Sequence, residues 1–287
     1  RYLLQLELNN DSLTFYLIKD ILMQNPENCH ENVWILSGTS DGPTLVEKLL
    51  KLNYIVFVSV VTYKASKSYA KNSKLHIITG KLNDSNEIIN FIEKNKITYV
   101  VDATHPFALM ISENLNKACK KIKRPLLVFE RKSEIKPFKN FNYISGLKDI
   151  DIEDIDNKNI LLAIGSRSLN DTASHYLKCG ANVFTRVIPT NESISRAFGS
   201  CIKNSNIAIL EPSKKKGNIL EKKLCDYWKI DYVLCRDSGS YSQRTWEEII
   251  YESNMQLFIV KRPKSKYKNK YIFFEYDNLI NHITRKN

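Results

Sequence analysis

Long hydrophobic runs are missing from this 287-residue sequence. No uninterrupted apolar stretch reaches the roughly 18 residues that a membrane span needs. The most apolar one, Ile55–Val61, has the length and β-branched content of a buried strand. Paired cysteines are missing too. The six cysteines stand scattered at 29, 119, 179, 201, 225 and 235, with no CxxC and no His-rich partner cluster. That pattern excludes a zinc ribbon and a disulfide framework, so the expectation is no metal site, with buried thiols in a reducing cytoplasm. Residues 1–30 lack the basic segment, apolar core and small-residue cleavage site of a secretory signal. Heptad runs and short repeats are absent.

Acidic residues are scarce relative to basic ones, 31 against 43, for a net charge of +12. Such a field favours anionic partners: nucleic acid, a membrane surface or a polyanionic small molecule. A chain rich in Lys, Asn and Ile together also gains lysine from nucleotide bias alone, so charge does not decide function. A basic RNA-binding protein would draw on Lys64–Lys74 and Lys261–Lys270. The sequence has no RNP-type aromatic motif, GXXG clamp or zinc finger to go with them. Salt-sensitive RNA binding without affinity for a dinucleotide would favour that reading.

What is present is alternation. Val33–Leu36, Ile55–Val60, Leu75–Ile78, Thr98–Val101 and Leu126–Phe129 read as strands. Helical stretches over Pro43–Leu52, Glu87–Lys94 and Phe107–Lys121 separate them. After a charged connection, Lys132–Asn142, the pattern restarts. Strands at Ile160–Ile164, Val183–Val187, Ile207–Leu210, Tyr232–Cys235 and Leu257–Val260 alternate with helices near 168–178, 191–199, 216–228 and 244–253. Strands alternating with helices indicate parallel sheets covered on both faces. The expected fold is α/β, two Rossmann-like or flavodoxin-like domains with a cleft between them. The expected divisions are an extension of unknown role (1–30), a first domain (31–138), a second (139–270) and a tail (271–287) that adds a strand and a helix.

Ser37-Gly38-Thr39-Ser40-Asp41-Gly42 follows the first strand and precedes the first helix. Small residues there let the backbone approach a ligand, and helix N-terminal amides point at phosphate oxygens. The full G-x-G-x-x-G pattern is absent, and a plain turn capped by Ser40 or Asp41 competes with the phosphate reading. No Asp or Glu occurs between Glu47 and Asp84 to hold a ribose 2′-hydroxyl; the second strand instead runs into Thr62-Tyr63-Lys64, with Lys67 behind. A hydroxyl-and-lysine environment suits a 2′-phosphate, hence NADPH over NADH. Asp102-Ala103-Thr104-His105-Pro106-Phe107-Ala108 ends the fourth strand, at the sheet edge where open α/β sheets bind ligands. The competing reading is a helix cap by Thr104 or Asp102, a structural His105, and Pro106 opening the next helix.

These two segments resemble the precorrin-6A reductase family, which includes cobalt-precorrin-6A reductases. Gly38–Gly42 is similar to its GGTSEG loop, and Asp102–Ala108 matches its DATHPFA segment. Gly80-Lys81-Leu82 falls at its G-R-L turn, and Gly165-Ser166-Arg167 at its G-S-[RK] turn. Arg186–Pro189, Arg236-Asp237-Ser238-Gly239 and Lys261-Arg262-Pro263 resemble R-V-L-P, K-D-S-G and R-R-P. Ser37 departs from the loop's first glycine, Leu210–Ser213 from M-Q-G-P-F-S, and Ser242–Glu247 from G-G-x-x-E-K.

The resemblance implies NADPH-dependent reduction of a polycarboxylate tetrapyrrole in cobalamin biosynthesis, by a metal-independent cytoplasmic monomer. The implied cofactor residues are Gly38, Thr39, Ser40, Gly42, Thr62, Tyr63, Lys64, Gly80, Asp102, Thr104 and His105. Substrate carboxylates imply Arg131, Arg167, Arg186 and Arg236, with Gly165, Ser166, Ser238 and Gly239 around them. His105 and Asp237 are the two candidates for the catalytic proton. A nucleotide-binding regulator would instead bind NADPH yet consume none with any tetrapyrrole.

Overall fold

The structure is a computed structural model. It describes residues 31–82, 84–133, 135, 137–212, 218–263 and 271–285. The expected extension 1–30 and most of the basic segment Lys261–Lys270 lie outside the described residues.

The first sheet is built on β1 (Asn32–Ser37), β2 (Ile55–Val60), β3 (Leu75–Thr79), β4 (Ile97–Ala103) and β5 (Leu126–Phe129). The second holds β6 (Phe141–Ile144), β7 (Asn159–Ala163), β8 (Asn182–Val187), β9 (Ile207–Ile209), β10 (Tyr232–Arg236) and β11 (Gln256–Val260). A last strand, β12 (Ile272–Phe273), returns to the first sheet. The orders are β12-β5-β4-β1-β2-β3 and β6-β11-β10-β7-β8-β9, with parallel pairing between neighbours. The two orders superimpose if β7–β11 take the places of β1–β5. The sixth place is then filled by exchange: β12 lies beside β5 although it follows β11 in the chain, and β6 lies beside β11 although it follows β5.

Burial on both faces explains the near-continuous apolar strands. In β1, Val33 and Ile35 join one core with Leu45 and Leu49 of helix α1 (Asp41–Lys51). Trp34 and Leu36 face the opposite core with Ile88, Ile92 and Leu115. Successive side chains of a strand point to opposite faces, so each helix layer receives every second residue. The Trp34 indole N–H is satisfied by Ser59 Oγ at 2.9 Å. A C-terminal helix, Tyr276–Thr284, buries Leu279, Ile280 and Ile283 in the first core.

Three local expectations are corrected. Phe141 and Asn142, read as the end of the connection, begin the edge strand β6, which pairs with β11. Thr62-Tyr63-Lys64 does not extend β2: Thr62 caps a short helix, Tyr63–Ser66, by accepting the Ala65 N–H at 3.2 Å. Pro106 does not open a helix either, because a turn from His105 O to Ala108 N (2.7 Å) delays it to Leu109–Lys121. Among the described residues, no helix is long and apolar enough to cross a membrane.

Candidate active site

From β1 the chain proceeds to β2 and β3 on one side, while β4 and β5 lie on the other. The crevice at such a reversal is where open α/β sheets take ligands. It is flanked here by residues 38–40 and 104–108. The two loops touch backbone to backbone: Gly38 N–H donates to Ala103 O at 3.4 Å, and a Cβ on Gly38 would lie 3.3 Å from the His105 nitrogen. Gly42 is equally confined, since a Cβ there would meet the Ser37 side chain and the Tyr69 hydroxyl.

Ser40 does not cap α1 with its side chain, contrary to the plain-turn reading. Its Oγ accepts from an Arg131 terminal nitrogen at 2.8 Å. Asp41 is buried and fully engaged, with Arg131 Nε at 2.8 Å, the Tyr276 hydroxyl at 2.7 Å and the Thr39 hydroxyl at 2.8 Å. Arg131, expected to face substrate carboxylates, is therefore held behind the loop after β1. Its charge offsets Asp41, and although Thr39 Oγ1 accepts the Asp41 N–H at 3.3 Å, Ser40 adds no side-chain cap, so the start of α1 lies at the crevice without an unpaired carboxylate. That arrangement fits a pyrophosphate.

Farther along the edge, Tyr63 is exposed under Lys67 Nζ, which lies 5.0 Å from its ring centre. Lys64 Nζ meets both carboxylate oxygens of Glu211 at 3.0 Å across the cleft. Exposed pairs of this kind contribute roughly 0–1 kcal/mol, so a phosphate can take the lysine over. Gly80, at φ 143°, ends β3 in open space.

Asp102 caps its own loop rather than a helix, accepting the Thr104 N–H at 3.0 Å and the Thr104 hydroxyl at 2.6 Å. His105 Nδ1 accepts from the Phe107 N–H at 3.3 Å, which leaves Nε2 as the protonated nitrogen of the neutral ring. Burial pushes its pKa down to about 4, helped by Arg236, Arg131 and Arg262. Phe107 reaches across into the second core, and the Arg236 guanidinium lies 5.1 Å over its ring.

In the second sheet, the loops after β7 and β10 occupy the equivalent reversal. Gly165 adopts φ 80° before the turn Ser166–Ser168, where Ser166 Oγ lies 3.4 Å from Ser193 Oγ. Arg167 is exposed. Arg236 donates to Ser168 Oγ at 2.7 Å, and burial and Arg167 lower its pKa. The rest of the expected substrate set is occupied internally. Ser238 and Gly239 N–H groups both donate to Gln243 Oε1, at 2.6 and 2.7 Å. Arg186 is buried in an ion pair with Glu221. Asp237 is buried beside Arg262, whose Nε is 3.4 Å from Asp237 Oδ1 and 3.1 Å from its carbonyl.

Residues 32–284 match the family described as Precorrin-6x reductase CbiJ/CobK. The chain belongs to this precorrin-6x reductase family. The cobalt-precorrin-6A reductase of Methanocaldococcus jannaschii is 28% identical over 259 residues, 88% of this chain and 98% of the relative. That of Synechocystis sp. is 26% identical over 248 residues, 81% of this chain and 89% of the relative. A solved structure titled CobK precorrin-6A reductase aligns with a TM-score of 0.71, over 89% of this chain and 96% of its own. At 15% identity that likeness shows the fold.

Within this reductase scaffold the sequence reading missed Arg262, Tyr69, Glu130 and Gln243. Arg262 lies within the quoted Lys261-Arg262-Pro263, and Glu130 directly follows β5 at the carboxyl end of the sheet, so both carried a signal. Nothing in the sequence places Tyr69 over the phosphate loop.

His105 gives a measurable consequence. The unfolded imidazole binds its proton near 6.5, the folded one only near 4. The unfolded chain therefore holds more protons in that window, and stability falls as pH drops from about 6.5 to about 4. His105→Asn is expected to flatten this part of the Tm-against-pH curve. An unchanged slope would show that His105 titrates normally.

Proposed function

We propose that this chain reduces a precorrin-6A macrocycle with NADPH in cobalamin biosynthesis, in the cytoplasm. The observation that carries the reading is the crevice between the loops after β1 and β4, with Arg236 and the exposed Arg167 just beyond Phe107 and His105. One wall suits a dinucleotide pyrophosphate, and the other offers guanidinium groups to acetate and propionate side chains. The names of the two relatives favour the cobalt-containing macrocycle as substrate.

A bound dihydronicotinamide supplies the hydride. The chain's own residues position, shield and neutralise. Gly38 and Gly42 allow close backbone approach, Arg131 and Asp41 fix the loop, and Phe107 seals the seam between the two halves. Holding the reactants in register contributes several kcal/mol by itself. His105, neutral at working pH, offers an Nε2–H hydrogen bond rather than a readily lost proton.

The test is anaerobic mixing of purified protein, NADPH and precorrin-6A or its cobalt form, followed at the nicotinamide absorbance. NADPH loss dependent on either macrocycle is expected, and no loss with both would end the reading. Lys64 and the lack of an acid after β2 support a strong preference for NADPH. Comparable kcat/KM with NADH would refute that preference.

A further inference from the structure

Hydride transfer leaves an electron pair on the macrocycle that must be met by a proton. Neither sequence candidate is suited to give it. His105 is neutral over the working range, and Asp237 lies against a guanidinium.

Glu130 directly follows β5, at the same carboxyl edge as the loops after β1 and β4. Its backbone N–H is fastened to Phe273 O at 2.9 Å, so β12 fixes its position. It lines a small, partly open cavity of about 60 Å³ together with Asp102, Thr104 and His105, and Pro263 and Ile272 line it too. The residue is half-buried. Asp102 faces it from the end of β4, His105 from the following loop, Arg262 from beyond β11, and Arg131 is its chain neighbour. Resting on the reductase reading above, we infer that Glu130 is the catalytic residue that protonates the reduced macrocycle.

Burial raises the Glu130 pKa and Asp102 raises it further, against an opposing pull from Arg262. A half-buried carboxyl whose pKa is raised by burial and a neighbouring carboxylate is the kind of group that enzymes use as a general acid. The balance is simple. The macrocycle gains hydride from the reduced nicotinamide, which becomes the oxidised form. Glu130 then gives its proton to the ring atom that received the displaced electron pair, and the resulting carboxylate regains a proton from water. His105, on the same cavity wall, can orient the acceptor through Nε2–H.

The test compares wild type, Glu130→Gln and Glu130→Asp. Each is measured for NADPH binding by protein fluorescence and for anaerobic NADPH consumption across pH. Glu130→Gln is expected to bind NADPH within about twofold of wild type. Its kcat should fall by about tenfold or more, with loss of the limb in which activity declines as pH rises. Glu130→Asp should recover part of the rate and keep that limb. A Glu130→Gln enzyme with wild-type turnover and the same limb overturns the inference. Loss of NADPH binding in both variants also overturns it, by making Glu130 structural. A wild type inactive with both macrocycles would instead refute the underlying reductase reading.

Discussion

Arg186→Met is expected to lower the free energy of unfolding by about 3–5 kcal/mol in urea denaturation, the cost of breaking a buried ion pair from one side. Arg186 on β8 is 7% exposed and Glu221, on the helix Ile219–Trp228, is 2% exposed. The guanidinium lies 3.6 Å from the carboxylate, donates to Ser242 Oγ at 3.1 Å and rests 5.7 Å from the Trp246 ring centre. Burial lowers the Arg186 pKa and Glu221 opposes the shift, so each charge is tolerable only beside the other. Methionine removes the cation and strands the carboxylate. Adding Glu221→Leu should restore most of the loss, because two apolar side chains have no charge to desolvate. A single variant within about 1 kcal/mol of wild type would mean that the pair is hydrated. KM for the macrocycle should stay unchanged in the folded single variant, as Arg186 is not free to meet a substrate carboxylate.

Gly42→Ala should weaken binding of the proposed NADPH cofactor by about tenfold or more. The new methyl would lie 2.7 Å from Ser37 Cβ and press on the Tyr69 hydroxyl as well. Both neighbours belong to short, packed structure: Ser37 ends β1 and Tyr69 follows the helix Tyr63–Ser66. Overpacking of this kind costs about 1–3 kcal/mol, a factor of roughly 5–150 in affinity if the strain falls on the loop. Adding Ser37→Gly should recover part of the affinity by making room. Titration calorimetry decides: a Gly42→Ala protein that binds NADPH as tightly as wild type would show that the loop yields without cost.

The legible parts of the sequence were those governed by local patterns. Five strands of each sheet announced themselves through apolar β-branched runs, and the positions of the loop after β1 and of the Asp102–Ala108 segment at strand ends were legible too. What stayed hidden depends on distant partners. Phe141–Ile144 has no strong alternation and becomes a strand only because β11 offers a parallel edge. Arg131 looked like a substrate ligand, and only the fold brings Asp41, 90 positions earlier in the chain, to within an ion pair of it. Gln243 departs from the family pattern, and its role in holding the Ser238 and Gly239 amides appears only in three dimensions.

Trading β6 for β12 has a consequence for the integrity of each half. The polypeptide passes between the halves twice, once after β5 and once after β11, so neither half can be excised without taking a border strand from the other. Each sheet therefore owes its sixth strand to a stretch of chain whose other strands lie in the opposite sheet, and the two six-stranded layers are completed together rather than one after the other.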